Sequence, residues 1–190
     1  MNKSLPFLLT FVFLCTARHD MNAQWVKATN GLPPADSSMG WEVAWAIDAV
    51  GQSTAVVGLS RGGVFRTTDG GANWKSLGFS HSYHAELVDL SMVDSSHIWV
   101  AGGYSGAIYA TSNGGQTWNV QFYDTTKTDF INYIRMFDPQ NGVAMGDAVG
   151  NGPPLFLRTT DAGLHWVSMN DTALRGCASG DTWRRLDFVN

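Results

Sequence analysis

Few side chains in this sequence have the type and spacing of reagents. Asp69, Asn113 and Asp161 each follow a threonine by two positions and precede a glycine by two. An acid or amide so placed at a tight turn accepts hydrogen bonds from nearby backbone N–H groups. Only a facing pair of carboxyl groups would suit glycoside hydrolysis. His81 and His84 share a short segment at a spacing that would suit zinc, but no third ligand stands beside them, and their neighbours are those of an exposed loop. Asp124 and Asp129 would offer oxygens to calcium, without EF-hand spacing. Gly146-Asp-Ala-Val-Gly-Asn-Gly resembles a phosphate loop only in its glycines, because the Gly-Lys-Ser/Thr ending is missing. The reading is a segment without metal, cofactor or catalytic group.

A repeat supplies the elements that hold these residues. Thr67-Thr-Asp69-Gly-Gly71-Ala-Asn-Trp74, Thr111-Ser-Asn113-Gly-Gly115-Gln-Thr-Trp118 and Thr159-Thr-Asp161-Ala-Gly163-Leu-His-Trp166 share the form Thr-x-(Asp/Asn)-x-Gly-x-x-Trp. Trp25 stands one further period ahead of Trp74, and Trp25-Val-Lys-Ala matches Trp74-Lys-Ser-Leu. Leu90-Ser-Met-Val-Asp94 aligns with Ile134-Arg-Met-Phe-Asp138 and Leu186-Asp-Phe-Val-Asn190. Ile98-Trp-Val-Ala-Gly102 aligns with Val143-Ala-Met-Gly146 and Ala55-Val-Val-Gly58. Val64-Phe-Arg, Ala107-Ile-Tyr-Ala and Leu155-Phe-Leu-Arg run into the boxes. Each unit thus holds four short strands, the last following the Trp. The chain reads as all-β, a partial β-propeller of four-stranded antiparallel blades. Within the box, the glycine permits positive φ, and the Trp offers a large apolar body to its own blade and the next.

The pattern resembles the Asp-box, or bacterial neuraminidase repeat, of sialidases, sortilin-type receptors, xyloglucan-cleaving glycosidases and the photosystem II stability factor family. Gly142-Val-Ala-Met-Gly-Asp147 through Arg158-Thr-Thr-Asp161 is most similar to the last of these and its bacterial relatives. The resemblance covers roughly residues 24–190 and implies a ring of about four to eight blades. Three boxed units and the strand start at Leu186 then read as the N-terminal part of a longer protein, with the strand after Trp25 closing the ring.

The same resemblance implies that ligands meet the end built by loops between blades and between second and third strands, with the boxes at the other end. Arg61, His81, His84, Tyr104 and Asp147 are the candidate contacts there. A sialidase-like activity would need an Arg-Ile-Pro signature, which is missing. A xyloglucanase-like first blade would carry an acid where Ser60 and Arg61 stand, before Gly62-Gly63-Val64-Phe65-Arg66. The expectation is a non-catalytic binding or assembly scaffold for a protein or carbohydrate ligand. The alternative is a glycoside hydrolase with its acids mostly beyond residue 190.

The first residues look like a secretory signal. A basic start is followed by the apolar run 5–17 and by Met21-Asn-Ala23, so residues 1–23 are read as a signal peptide cut after Ala23, with the domain at 24–190. The run is short for a bilayer span, and no transmembrane segment is expected. The protein is expected in the periplasm, outside the cell or at its surface. Cys15 follows bulky Phe13 and Leu14, which disfavours a lipid anchor, and the cut leaves Cys177 as the one cysteine. Removing Lys3, Arg18 and Asp20 turns 12 basic and 16 acidic residues into 10 and 15, a net charge of −5. That surface argues against nucleic acid as a partner.

Overall fold

A computed structural model of the chain describes residues 27–33, 43–79, 86–103, 106–150 and 152–169. The signal segment, Trp25, His81, His84, Tyr104, Cys177 and the run at Leu186 lie outside the described residues.

β-Branched and aromatic runs between glycine turns form twelve described strands. The first sheet holds β1 (Ala44–Val50), β2 (Thr54–Leu59), β3 (Val64–Thr67) and β4 (Lys75–Ser76). The second holds β5 (Leu87–Met92), β6 (Ile98–Gly102), β7 (Ala107–Thr111) and β8 (Asn119–Tyr123). The third holds β9 (Ile131–Met136), β10 (Gly142–Gly146), β11 (Leu155–Thr159) and β12 (Val167–Ser168). In every sheet the strands pair antiparallel in chain order, as the repeat requires. The final strand of each follows its Trp directly.

The sheets stack face to face. Val56, Val64 and Leu77 of the first pack against Leu87, Leu90, Ile98 and Val100 of the second. Trp99, Ala101 and Ile108 of the second pack against Ile131, Ile134, Ala144 and Leu157 of the third. Strand period two sends Val100 to one neighbour and Trp99 and Ala101 to the other. For that reason β6 and β7 are buried throughout and read as continuous apolar runs. Burying each large aliphatic side chain stabilises by about 1.5–3 kcal/mol. Exposed apolar groups remain at Val43, Trp45 and Ile47 in and beside β1 and at Leu164, Val167 and Met169 in and beside β12.

Hydrogen bonds sort the connections between two ends. Box turns meet the turns between first and second strands, through Gly70 N–H to Ser53 O, Gly114 N–H to Ser96 O and Ala162 N–H to Gln140 O. Loops between second and third strands meet the entry to the first strand, through Ser60 N–H to Val43 O, Gly103 N–H to Glu86 O and Asp147 N–H to Phe130 O.

The box tryptophans pack on the preceding unit, not the following one as expected. Trp118 donates its Nε1–H to Leu77 O at 3.2 Å and sets its ring edge-on to Phe79. Trp74 donates to Ala28 O at 3.0 Å, and its own N–H bonds Asn30 O. Ala28 follows Trp25 by three positions, as Leu77 follows Trp74. Residues 27–32 therefore take the place that β4 takes for the second sheet.

Candidate functional site

The boxes are three copies of one hydrogen-bonded turn. In the first, the buried Thr67 hydroxyl donates to Asp69 Oδ1 at 2.8 Å and accepts Gly71 N–H at 2.9 Å. Asp69 Oδ1 also accepts Asn73 N–H at 2.8 Å, and Oδ2 accepts the Asn73 side-chain amide at 2.8 Å. Thr111, Asn113, Gly115 and Thr117 repeat this with an amide in place of the acid. Thr159, Asp161, Gly163 and His165 repeat it again, with His165 Nδ1 2.6 Å from Asp161 Oδ2. Hydrogen bonds from the Asn73 side chain and backbone hold Asp69 down at about 2. The His165 backbone and ring do the same for Asp161, also at about 2. Such acids are poor proton donors and acceptors near neutrality. Gly115, at φ 90°, is needed twice over, since a Cβ there would lie 2.6 Å from the Leu77 Cβ.

Of the residues expected at the loop end, Arg61 and Asp147 are described. Arg61 is exposed in the turn between β2 and β3. Asp147 opens the loop between β10 and β11 and is half-buried. Its Oδ1 accepts from Asn132 Nδ2 at 2.5 Å, and its carbonyl accepts from the buried Thr128 hydroxyl at 2.8 Å. The same oxygen lies 2.9 Å from Phe130 O, so its single proton is shared between the two carbonyls and one threonine ties the linker into the third sheet to the loop that follows β10. Asn132 is 4% exposed, and its Oδ1 has no partner among the described residues. This corner is a built polar feature of the loop end. Arg61 lies in the first sheet and Asp147 in the third, each in the loop between the second and third strands.

A second group was not marked by any motif. The first strands β1, β5 and β9 lie side by side. Asp48 Oδ2 of β1 accepts Met92 N–H of β5 at 2.8 Å. One sheet on, Ser91 Oγ accepts Met136 N–H at 3.0 Å, and Asp89 Oδ2 accepts Ile134 N–H at 2.9 Å. Each preceding sheet thus caps the open inner edge of the next. Arg135 Nη1 reaches back to Asp48 Oδ2 at 3.6 Å, from the third sheet to the first. Burial pushes the Asp89 carboxyl up to about 6, against the pull of the Ile134 and Leu90 amides. Among the described residues no three His, Cys, Asp or Glu side chains gather as metal ligands would, and no helix is long and apolar enough to cross a membrane.

An ion pair between first strands two sheets apart requires the inner edges to converge on a common axis. Known structures resemble the chain in fold. YCF48 bound to D1 peptide matches with TM-score 0.57 at 16% identity, over 67% of this chain and 40% of that one. The fold is a β-propeller. YCF48 from Cyanidioschyzon merolae matches with TM-score 0.52 at 18% identity, over 67% of this chain and 37% of that one. A xyloglucanase from Xanthomonas campestris matches with TM-score 0.49 at 16% identity, over 61% of this chain and 18% of that one. This propeller arc spans about two fifths of the length of the YCF48 chains it matches. No family model and no curated protein sequence matches the chain. At these identities the likeness shows the fold, and the three sheets are blades of a partial propeller.

Proposed function

We propose that this arc belongs to an exported β-propeller that binds or assembles a protein or carbohydrate ligand at its loop end and does no chemistry within residues 24–190. The observation that carries this reading is the fate of the box side chains. Asp69, Asn113 and Asp161 spend their acceptors inside their own turns, at the end away from Asp147. Loop-end residues on a rigid scaffold are free to vary for recognition. Arg61 and the Asp147–Asn132 corner are the described contacts we assign to the ligand, with His81, His84 and Tyr104 as further candidates. A peptide is the first class to test, because YCF48 was solved bound to one.

One observation favours a hydrolase instead. Asp89, with its proton affinity raised, lies close enough to Asp48 to feel its charge, and paired acids with different environments are what glycosidases use. Both carboxylates, however, are committed to amides of the next blade.

The test is to screen the purified natural protein on peptide and glycan arrays and to incubate it with sialyl-lactose and xyloglucan oligosaccharides. Binding without turnover is expected, weakened by Asp147→Ala or Arg61→Ala and unchanged by Asp69→Ala. Turnover abolished by Asp89→Asn in a folded protein would replace the scaffold reading with the hydrolase. N-terminal sequencing of the exported protein should begin at Gln24, and a retained Met1 would contradict export.

A further inference from the structure

Negative charge stands unmatched at one corner of the loop end. Asp147 meets the Asn132 amide with Oδ1 alone, and its Oδ2 has no partner among the described residues. Asp129 is exposed, and its carboxylate takes no hydrogen bond from a described residue. The backbone holds these two acids near one another. The Thr128 hydroxyl lies 2.8 Å from Asp147 O, and Asp147 N–H bonds Phe130 O, so the residues on both sides of Asp129 grip Asp147. The second blade closes the other flank, where Gly106, at φ 57°, comes so near that a Cβ there would lie 3.2 Å from the Asp129 Cα.

No described base answers these charges. Lys127, the one base in the linker between β8 and β9, pairs with Asp124 at 3.2 Å. Arg135 reaches Asp48 instead. Asn132 adds an independent demand of the same kind. It is 4% exposed, and its Oδ1, on the same carbon as the amide that meets Asp147, has no partner among the described residues. A buried acceptor left unpaired is costly, and an N–H donor brought to the corner would satisfy it. A divalent cation would ask for more oxygen ligands, and no three His, Cys, Asp or Glu side chains gather among the described residues. Positive charge spread over several N–H groups is the better complement. A guanidinium supplies it, with five donors in a planar fork suited to a carboxylate.

We infer that the Asp147–Asn132 corner takes the guanidinium of an arginine in a peptide ligand. Asp147 is the paired carboxylate, Asn132 positions it, and Asp129 adds charge at the rim. The inference rests on the peptide-binding reading above and adds to it the side chain that is recognised.

A peptide array probed with the natural protein tests it, each arginine peptide set beside its citrulline counterpart, which keeps the shape and loses the charge. Arginine members should bind about tenfold more tightly or better, as a charge-assisted bond requires, and agmatine, a free alkylguanidinium, should compete them off. Asp147→Asn, which keeps an acceptor for Asn132, should erase the difference in a protein that melts like wild type. Asp138→Asn, which removes a carboxylate from the turn between β9 and β10 at the box end, should keep it. Equal binding of arginine and citrulline members overturns the inference and leaves peptide binding standing, as does a difference that survives Asp147→Asn. A protein that captures glycans and no peptide overturns it in the same way, and one that captures neither overturns the binding reading with it.

Discussion

Arg135 of the third blade lies 3.6 Å from the Asp48 carboxylate of the first, passing the inner strand of the second. The pair itself is half in solvent, with Arg135 50% exposed and Asp48 19%, and such pairs contribute about 0–1 kcal/mol. The Asp48 bond to Met92 N–H matters more, because its loss strands a donor at an inner strand edge. Asp48→Ala should cost about 1–3 kcal/mol, while Arg135→Ala should stay below about 1 kcal/mol. Urea unfolding of the two variants distinguishes these roles. Equal losses would make the ion pair the stabilising element.

Asp89 gives a pH dependence of unusual sign. Its carboxyl stands at about 6 in the fold, against 3.8 when free. The folded state therefore binds the extra proton between those values, and this group's contribution is greatest below about pH 4 and declines as pH rises through 6. Asp89→Asn keeps an acceptor for Ile134 N–H and removes the decline. Unfolding free energies at pH 4 and pH 7 should show wild type losing on the order of 2–3 kcal/mol more than the variant between them. An identical slope would place Asp89 in a more solvated site.

The boxes carry the opposite dependence. Asp69 and Asp161 sit at about 2, so their stabilisation is present above the ordinary carboxylate value and fades as pH falls from 3.8 through 2. The second blade, with Asn113, has no such liability. Asp69→Asn with Asp161→Asn should keep more of its neutral-pH melting temperature at pH 2.5 than wild type does. A larger acid loss in the double variant would contradict the assignment.

The indoles differ in their partners. Trp118 Nε1 bonds Leu77 O, whereas the buried Trp166 Nε1 has no partner among the described residues. Both changes to Phe remove the same ring area, so Trp118→Phe should cost about 1–3 kcal/mol more than Trp166→Phe. Chemical denaturation of the two variants measures the difference.

The fold was legible because box, strand and turn chemistry recur in register: the period comes from Thr67, Thr111 and Thr159, and four strands per unit follow from the apolar runs that precede each box and the one after each Trp. The first strand of the first blade was harder to see. Ile47-Asp-Ala-Val stands where the later blades have Leu90-Ser-Met-Val and Ile134-Arg-Met-Phe. The direction of Trp packing was missed too, since sequence shows that an indole is buried without showing which neighbour buries it. The inner-edge caps had no motif. Asp48 and Ser91 hold equivalent positions with different residues, and all that is required there is an oxygen within reach of an amide. The Asp147–Asn132 corner was half visible. Asp147 stood out beside glycine, but its tie to Asn132 depends on a shift in strand register between Met145 and Gly146.

The central claim is that the repeated boxes hold the blades together and take no part in chemistry. The buried Thr111 hydroxyl reaches both Asn113 and Gly115 N–H, so Thr111→Val, which keeps the volume and removes the hydroxyl, is the direct test. Equilibrium unfolding should show a loss of about 1–3 kcal/mol, with comparable losses for Thr67→Val and Thr159→Val and with ligand binding by the folded fraction unchanged. Three variants as stable as wild type, or a folded variant that has lost its ligand, would contradict the account.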